Sequence, residues 1–282
     1  MGVKVIVARD DADTLIVREA LRLAAGCKCE VRAEDTDLLC MLIHHSNLTS
    51  NDVVFSTGKG SFSIKGIVGK LADKENTLLL FAHAFTGWDT TSTIYGLGKK
   101  LAATGAPSES IDVMTSLRSH PDKIMEAGIC IFQYLYGNKS HSLHKMRHER
   151  YCKAMAKGKM QSQSLPPTAG AAAQHSLRVY LQWHDWALMK SISLAPFSYG
   201  WQESESGGYE PVGTLDEIAP PAVLNLTTCN CNISNPETAC KNDTCQCRRL
   251  GLKCLTACGK CHGTDCTNGK VDTVVSVVEL ED

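Results

Sequence analysis

The sequence has no long apolar segment and no strong bias in charge. No stretch approaches the roughly 20 consecutive apolar residues that a membrane-spanning helix needs. The apolar opening "VKVIVA" is short and runs directly into acidic residues, so we do not expect a signal peptide. The 29 basic and 30 acidic residues give a formal net charge of -1, so any surface for a polyanion must be local. These absences favour an intracellular protein, nuclear or cytoplasmic, with no membrane partner.

Internal repeats are also absent, and the 282 residues suffice for one large domain or two smaller ones. The first part of the chain alternates short β-branched segments with amphipathic helical patterns. The predicted strands are "VKVIVA", "CEVRA" and "DVVFST", and helices are predicted between them. "TLLLFAHAF" fits either a strand or a helix, and we favour a helix. This alternation predicts an α/β fold with a parallel sheet covered by helices.

Changes in composition divide the chain into five segments. The α/β pattern covers 1–105, and a helical extension with a basic helix covers 106–200. A linker rich in glycine and proline follows at 201–226, then a cysteine-rich module at 227–270 and an acidic tail at 271–282. The basic helix, between Lys139 and Lys159, either follows a phosphate backbone or is simply a solvated helix face.

Carboxylates gather where the predicted strands end. The motif "EDTD" places three of them between a strand and a helix, where Asp35 or Thr36 could cap the helix. A sharper interpretation is a divalent-metal site, because residues i and i+2 of an extended segment point the same way. In open parallel sheets the carboxyl ends of the strands border the binding crevice. The candidate ligands are Asp11, Asp13, Asp35, Asp37 and Asp89.

Oxygen ligands of this kind suit Mg²⁺ or Mn²⁺, and a pair of such ions supports phosphodiester cleavage. A phosphate-binding pattern follows Asp89 in "DTTSTIYGLGKKLA". Paired glycines let backbone N–H groups approach a phosphate, and the start of a helix favours the negative charge. The candidate phosphate contacts are Gly96, Gly98, Lys99 and Lys100.

The series "DADT … EDTDLL … FTGWDTTSTIYGLGKKLA" resembles the flap-endonuclease-like branch of the PIN-domain nucleases. The resemblance implies a partial three-layer, parallel-sheet PIN-like domain with a helix-hairpin-helix that grips DNA. It also implies that the five aspartates bind the catalytic metals. The family's first strand and its further aspartates precede the matching segment. Trp88 stands where the family has a cysteine or a small residue.

Cysteine usage separates the end of the chain from the rest. Of 14 cysteines, five are scattered before residue 153. The others crowd together at Cys229, Cys231, Cys240, Cys245, Cys247, Cys254, Cys258, Cys261 and Cys266. A disulfide knot is one explanation, and several Asn-x-Ser/Thr sequons suit it. Metal binding is favoured because nine is odd and a C-x-C pair does not easily close on itself.

Nine thiolates match the needs of about three zinc ions. Each zinc takes four ligands, so twelve bonds arise if three thiolates bridge and six do not. About three negative charges then remain, which Arg248, Arg249, Lys253 and Lys260 can offset. Such a short segment has almost no apolar core, so metal binding would supply its folding energy. His262 is interpreted as a bystander.

The cysteine spacing resembles the CXC domain of tesmin-like proteins, which implies zinc and DNA binding. Fusion of the two domains is similar to a group of transposon-associated animal proteins. Two functions follow from these resemblances. One is a divalent-metal-dependent, structure-selective DNA nuclease, or a shortened relative, with a zinc module that docks nucleic acid. The other is a non-catalytic zinc-binding protein from a mobile element, with DNA or protein partners. Either would favour the nucleus.

Overall fold

A computed structural model describes residues 3–8, 11–71, 73–87, 90–97, 105–137, 141–156, 162–189, 194–214, 216–217, 227–235, 237–256 and 258–269. The chain forms two compact units, Met1–Asp216 and Glu217–Asp282. Each unit has its own buried core, apolar side chains in the first and cysteines in the second. The coarse prediction is confirmed: a mixed α/β unit precedes a cysteine cluster.

The first unit contains mostly helices around a small sheet. Its helices are α1 (Asp13–Ala24), α2 (Thr36–His45), α3 (Ile64–Val68), α4 (Asp73–Thr86), α5 (Ser108–Thr115), α6 (Pro121–Leu135), α7 (Leu143–Ala156) and α8 (Ala169–Leu188). Its strands are β1 (Cys29–Arg32), β2 (Val53–Thr57), β3 (Gly60–Ser63), β4 (Trp201–Glu203) and β5 (Tyr209–Pro211). The predicted helices at the start and the ambiguous "TLLLFAHAF" are therefore helical, as expected.

The main sheet is mixed rather than wholly parallel. β1 and β2 run parallel, with Val31 opposite Phe55, and the crossover between them contains α2. β2 then turns back into β3 to form an antiparallel hairpin, which the sequence patterns did not predict. The order is β1-β2-β3 within the part of the chain that the structure describes. The parallel pair explains why the residues after β1 lie at a crevice-forming edge.

The prediction of a strand at "VKVIVA" is wrong. Residues 3–8 have no regular secondary structure, and the side chains of Val3 and Val7 are 91% and 82% exposed. β-branched residues form a strand only where a neighbouring edge supplies hydrogen bonds and an apolar face. Among the described residues, β1 pairs only with β2, so residues 3–8 do not pair with it. The local sequence pattern could not show that this segment lacks a partner strand.

Helices α4, α6 and α8 build the apolar core of the first unit. Phe81 and Phe85 on α4 are fully buried, and Phe85 packs against Phe132 of α6 with ring centroids 5.0 Å apart. α6 approaches α8 closely because Gly128 has no Cβ to collide with Ser176. α8 lies within the segment predicted to be a helical extension. No helix in the described part of the chain is both long and apolar enough to cross a membrane.

The segment expected to be a linker, 201–226, is not wholly extended. Its first part forms the β4–β5 hairpin, in which Trp201 pairs with Pro211. Among the residues of the second unit that the structure describes, Gln246–Arg249 form one short helix, α9, and the others lie in turns and irregular segments. A bridge between Cys254 and Gly269 closes these turns. The acidic tail at 271–282 lies outside the described residues.

Candidate metal centres

Three of the predicted metal-site acids come together in the first unit. Asp13 is the first residue of α1, and Asp35 and Asp37 flank the start of α2 just after β1. One carboxylate oxygen from each of the three lies within 4.8 Å of the others. Carboxylates this close repel one another unless a cation or proton lies among them. The sheet edge therefore has the oxygen donors and the charge of a divalent-cation site.

Helix capping and metal binding are compatible at this site. The Asp35 Oδ1 atom accepts a hydrogen bond from the Asp37 backbone N–H at 2.9 Å, which caps α2. Asp11 Oδ1 accepts from the Asp13 N–H at 3.2 Å just before α1, whose N-cap residue is Ala12. The Asp35 cap uses one carboxylate oxygen and leaves the second available for a ligand. The cap also fixes where the Asp35 carboxylate stands.

A histidine that the sequence patterns missed holds the deepest of these acids. His83 on α4 forms a hydrogen bond through Nε2 with Asp37 Oδ1. Both side chains are buried, 4% and 11% exposed. The His83 ring also stacks on Trp186 of α8, with centroids 6.1 Å apart. Asp37 is thus held from α4 and indirectly from α8, as the carboxylate ligands of metal sites are usually held by outer hydrogen bonds.

A further acid lies near Asp11. Asp185 is on α8, and burial together with the negative charge of Asp11 raises the pKa of its carboxyl group. The sequence patterns also overlooked Asp185, because it lies 174 residues away along the chain and only tertiary packing brings it near. Asp11 and Asp185 therefore add acidic side chains beyond the three convergent aspartates.

The segment after α4 needs a glycine at its first turn. Gly87 has φ +118°, and a Cβ there would lie 2.3 Å from the Cα of Thr93. The Ile94 N–H donates to the Thr86 carbonyl at 3.2 Å, which returns the chain to the end of α4. Gly96 follows in a turn with φ +71°. The other residues predicted for this region, Asp89, Gly98, Lys99 and Lys100, lie outside the described residues.

In the second unit, the nine predicted cysteines form one cluster. All nine are free thiols, seven of them buried, and Cys231 and Cys266 are half-buried. The Cys229 sulfur lies 3.8 Å from the sulfurs of Cys240, Cys254 and Cys261. A disulfide would require about 2.05 Å. Zn–S bonds of about 2.3 Å in a tetrahedron separate the sulfurs by about 3.8 Å. The spacing is compatible with zinc binding.

The thiols overlap in sets of four. Four overlapping sets have all of their sulfurs within 4.8 Å of one another. Cys229 and Cys254 each belong to three of these sets. A thiolate that bridges two metals must occupy such a central position. His262 is exposed and belongs to none of the sets, in agreement with its interpretation as a bystander.

Amide groups surround the sulfurs. The backbone N–H groups of Cys229 and Leu255 donate to Cys258 Sγ at 3.4 and 3.3 Å. Asn268, which the sequence patterns missed, donates from Nδ2 to Cys254 Sγ at 3.5 Å and to the Leu252 carbonyl at 2.8 Å. Such donors stabilise negative charge on sulfur. They are arranged as the outer hydrogen bonds of a metal-thiolate centre are.

Burial opposes ionisation of most thiols in this cluster while no metal is bound. Burial raises the pKa of Cys229 and Cys254, and it raises the pKa of Cys247 to about 12. For Cys261 burial acts in the same direction, but hydrogen bonds from Gly263 and Cys266 outweigh it and lower the pKa to about 7. Metal binding at such a cluster must release protons.

Of the cations expected to offset cluster charge, one has a structural role. Arg248 donates through Nε to the Cys240 carbonyl at 2.8 Å and is half-buried. Arg249, Lys253 and Lys260 are exposed. None of these three forms a salt bridge with a described carboxylate.

Comparison of this chain with protein-family models, with curated proteins and with solved structures gives no match.

Proposed function

We propose that this protein is a divalent-metal-dependent, structure-selective DNA nuclease of the flap-endonuclease-like type, with a zinc-binding unit that helps to dock nucleic acid. One observation carries the catalytic part. Asp13, Asp35 and Asp37, which lie at the starts of two separate helices, place carboxylate oxygens within 4.8 Å of one another. Carboxylates this close repel one another, and a bound divalent cation would remove that repulsion.

The three aspartates would hold Mg²⁺ or Mn²⁺ through one carboxylate oxygen each. A cation bound there supplies activated water and stabilises the leaving oxygen of a phosphodiester. Asp35 stays fixed because its other oxygen caps α2, and Asp37 stays fixed because His83 holds it. By the resemblance to the flap-endonuclease-like nucleases, Asp89 would be a further metal ligand, and Gly96, Gly98, Lys99 and Lys100 would contact phosphate.

The cysteine-rich unit would bind about three zinc ions through its nine thiols. The sulfur separations of 3.7–3.9 Å support this proposal, because they equal the edge of a zinc–sulfur tetrahedron. Exposed Arg249, Lys253 and Lys260 give the unit a positive surface for a phosphate backbone. DNA is therefore its proposed partner.

Cleavage of flapped DNA by the zinc-loaded full chain, with and without Mg²⁺ or Mn²⁺, tests the catalytic proposal. Replacing Asp35 and Asp37 by asparagine should abolish metal-dependent cleavage while folding persists. Asparagine at position 35 caps a helix as well as aspartate does, and the amide oxygen of asparagine at position 37 can still accept a hydrogen bond from His83. The matched control removes two exposed carboxylates from α5, Glu109→Gln with Asp112→Asn, and should keep full activity. A wild-type chain that cleaves no branched DNA refutes the proposal.

Elemental analysis tests the zinc proposal independently. The chain purified under reducing conditions should contain about three zinc ions per molecule. Cys229→Ser should lower this number more than Cys231→Ser does, because Cys229 belongs to three of the four-sulfur sets and Cys231 to one. A metal content near zero, or four disulfides found by mass spectrometry, would contradict zinc binding.

One observation favours a second function, a non-catalytic zinc-binding protein that interacts with DNA or protein. One carboxylate oxygen of Asp37 is already hydrogen-bonded to His83. Of the five predicted acids, three converge within the described part of the chain. Calorimetric titration with Mn²⁺ separates the two functions. A chain that carries zinc but shows neither Mn²⁺ binding nor cleavage would have the second function, that of a non-catalytic zinc-binding protein.

A further inference from the structure

Positive charge is concentrated in one short stretch of the chain. Residues 139–159 contain seven of the 29 lysines and arginines and a single acid, Glu149. The whole chain has a net charge of -1, so this stretch is unlike the rest. Its described part contains α7, Leu143–Ala156. α7 itself carries four of these cations and the one acid, and such a local excess is the electrostatic pattern of a surface that meets a polyanion.

The helix is attached at its start and exposed beyond it. Leu143 and Met146 are 2% and 3% exposed and pack into the core of the first unit. Arg147 is half-buried, and its guanidinium donates to the Pro166 carbonyl at 2.6 Å, so it links α7 to the segment that precedes α8. His144, Lys145, His148, Arg150 and Lys153 are exposed. Packing therefore holds one side and leaves the basic side chains in solvent.

The single acid of the helix does not neutralise these cations directly. Glu149 Oε1 lies 3.3 Å from His141 Nδ1, and Lys145 Nζ lies 3.1 Å from the other nitrogen of the same ring. Arg150 stacks over the Tyr136 ring at 4.9 Å, which restricts its guanidinium. Within the described residues, no salt bridge joins Lys145, Arg150 or Lys153 to a carboxylate.

We propose that α7 is a docking surface for the phosphate backbone of a nucleic acid, with Lys145, Arg150 and Lys153 as its contacts. Lys145 and Lys153 are eight residues apart, which is about 12 Å along the helix axis. Phosphates of one DNA strand advance about 3.4 Å per nucleotide along the duplex, so this length of helix corresponds to three to four phosphates. The inference deepens the proposed function and rests on it for the choice of nucleic acid.

Other polyanions fit this surface less well. A helix that binds a membrane surface needs an apolar side for the lipid, whereas Leu143 and Met146, two large apolar side chains of α7, are buried. A protein partner is held chiefly by aromatic and apolar groups that fill pockets, and the exposed side of α7 offers charged and imidazole groups instead. A phosphate backbone needs only charge at regular spacing.

The test measures binding without cleavage. Fluorescence anisotropy of a labelled 20-base-pair duplex is followed with the zinc-loaded full chain across a salt series, with no Mg²⁺ or Mn²⁺ added. Replacing Lys145, Arg150 and Lys153 by glutamine should lower affinity about tenfold or more and reduce the slope of log K against log salt by about 2 to 3. The control Lys28→Gln, Lys59→Gln and Lys123→Gln removes the same charge from exposed sites on other elements.

Each outcome decides the inference. An unchanged slope in the α7 variant, or an equal loss in the control, overturns it, and so does tighter binding of polyglutamate or of phosphatidylserine vesicles than of the duplex. Circular dichroism checks that the variant keeps its helix content. A wild-type chain that binds DNA through α7 but does not cleave it would refute the nuclease while leaving this surface in place.

Discussion

The close approach of α6 and α8 makes Gly128 a sensitive position. A Cβ added at Gly128 would lie 1.7 Å from the Ser176 Oγ and 2.3 Å from the Ser176 Cβ. Rotation of the serine side chain moves Oγ but not Cβ, so the two helices would have to separate. α8 also carries Trp186, whose carbonyl accepts from His45 Nε2 at 2.8 Å and whose ring stacks on His83. A displaced α8 would therefore disturb the support of Asp37.

Gly128→Ala should destabilise the first unit. Alanine is better than glycine inside a helix by about 1 kcal/mol. Overpacking of a core costs about 1–3 kcal/mol, and a contact this short belongs at the upper end. We expect a net loss of about 2 kcal/mol in the free energy of unfolding, which corresponds to about 4–8 °C in Tm for a unit of this size.

Urea unfolding followed by tryptophan fluorescence measures this change, because Trp183 and Trp186 are buried on α8. Combining Gly128→Ala with Ser176→Gly should restore most of the lost stability. Combining Gly128→Ala with Ser176→Ala should not, because alanine at position 176 keeps the Cβ that collides. Gly208→Ala is the control, since the nearest atom to a Cβ there is 3.7 Å away. A Gly128→Ala chain as stable as wild type would refute the close helix packing.

Two further predictions concern acid stability and metal retention. Burial lowers the pKa of His175 from 6.5 to about 4, so from pH 6.5 to 4 the unfolded chain binds a proton that the folded chain does not. The free energy of unfolding should therefore decrease by about 3 kcal/mol because of His175 as the pH is lowered from 6.5 to 4. The urea midpoint of the His175→Gln variant should depend less on pH than that of the wild type. Asn268→Leu removes the donor to Cys254 Sγ and should speed zinc loss to a chelator about tenfold; the exposed Thr264→Val is its control, and equal rates would contradict a supporting role.

Many of the candidate metal ligands and several helices were predictable from short stretches of sequence. The nine cysteines are close along the chain, so their spacing alone predicted one metal-binding cluster. Asp35 follows a short strand and precedes an apolar helix, and that order predicted both its capping role and its place at a sheet edge. Helices α1, α2 and α5 to α7 were predictable because apolar periodicity and caps are properties of neighbouring residues.

Contacts between distant segments were not predictable in this way. The strand expected at residues 3–8 failed because β structure depends on a partner edge, which local pattern does not reveal. The β2–β3 hairpin was missed because β3, "GSFS", has little of the apolar alternation that marks a strand. "TLLLFAHAF" was ambiguous for a related reason, since a short apolar run suits a buried helix or a buried strand.

The sequence by itself determined which groups are available: five aspartates at turns, a basic helix and a dense set of thiols. Only the tertiary structure decided which of them meet. It brought Asp13 to Asp35 and Asp37, put His83 against Asp37, and placed Asn268 beside Cys254. The physical reason is that capping, helical periodicity and cysteine spacing act over a few residues. The geometry of a metal site, in contrast, depends on how packed elements far apart in the chain set the positions of single atoms.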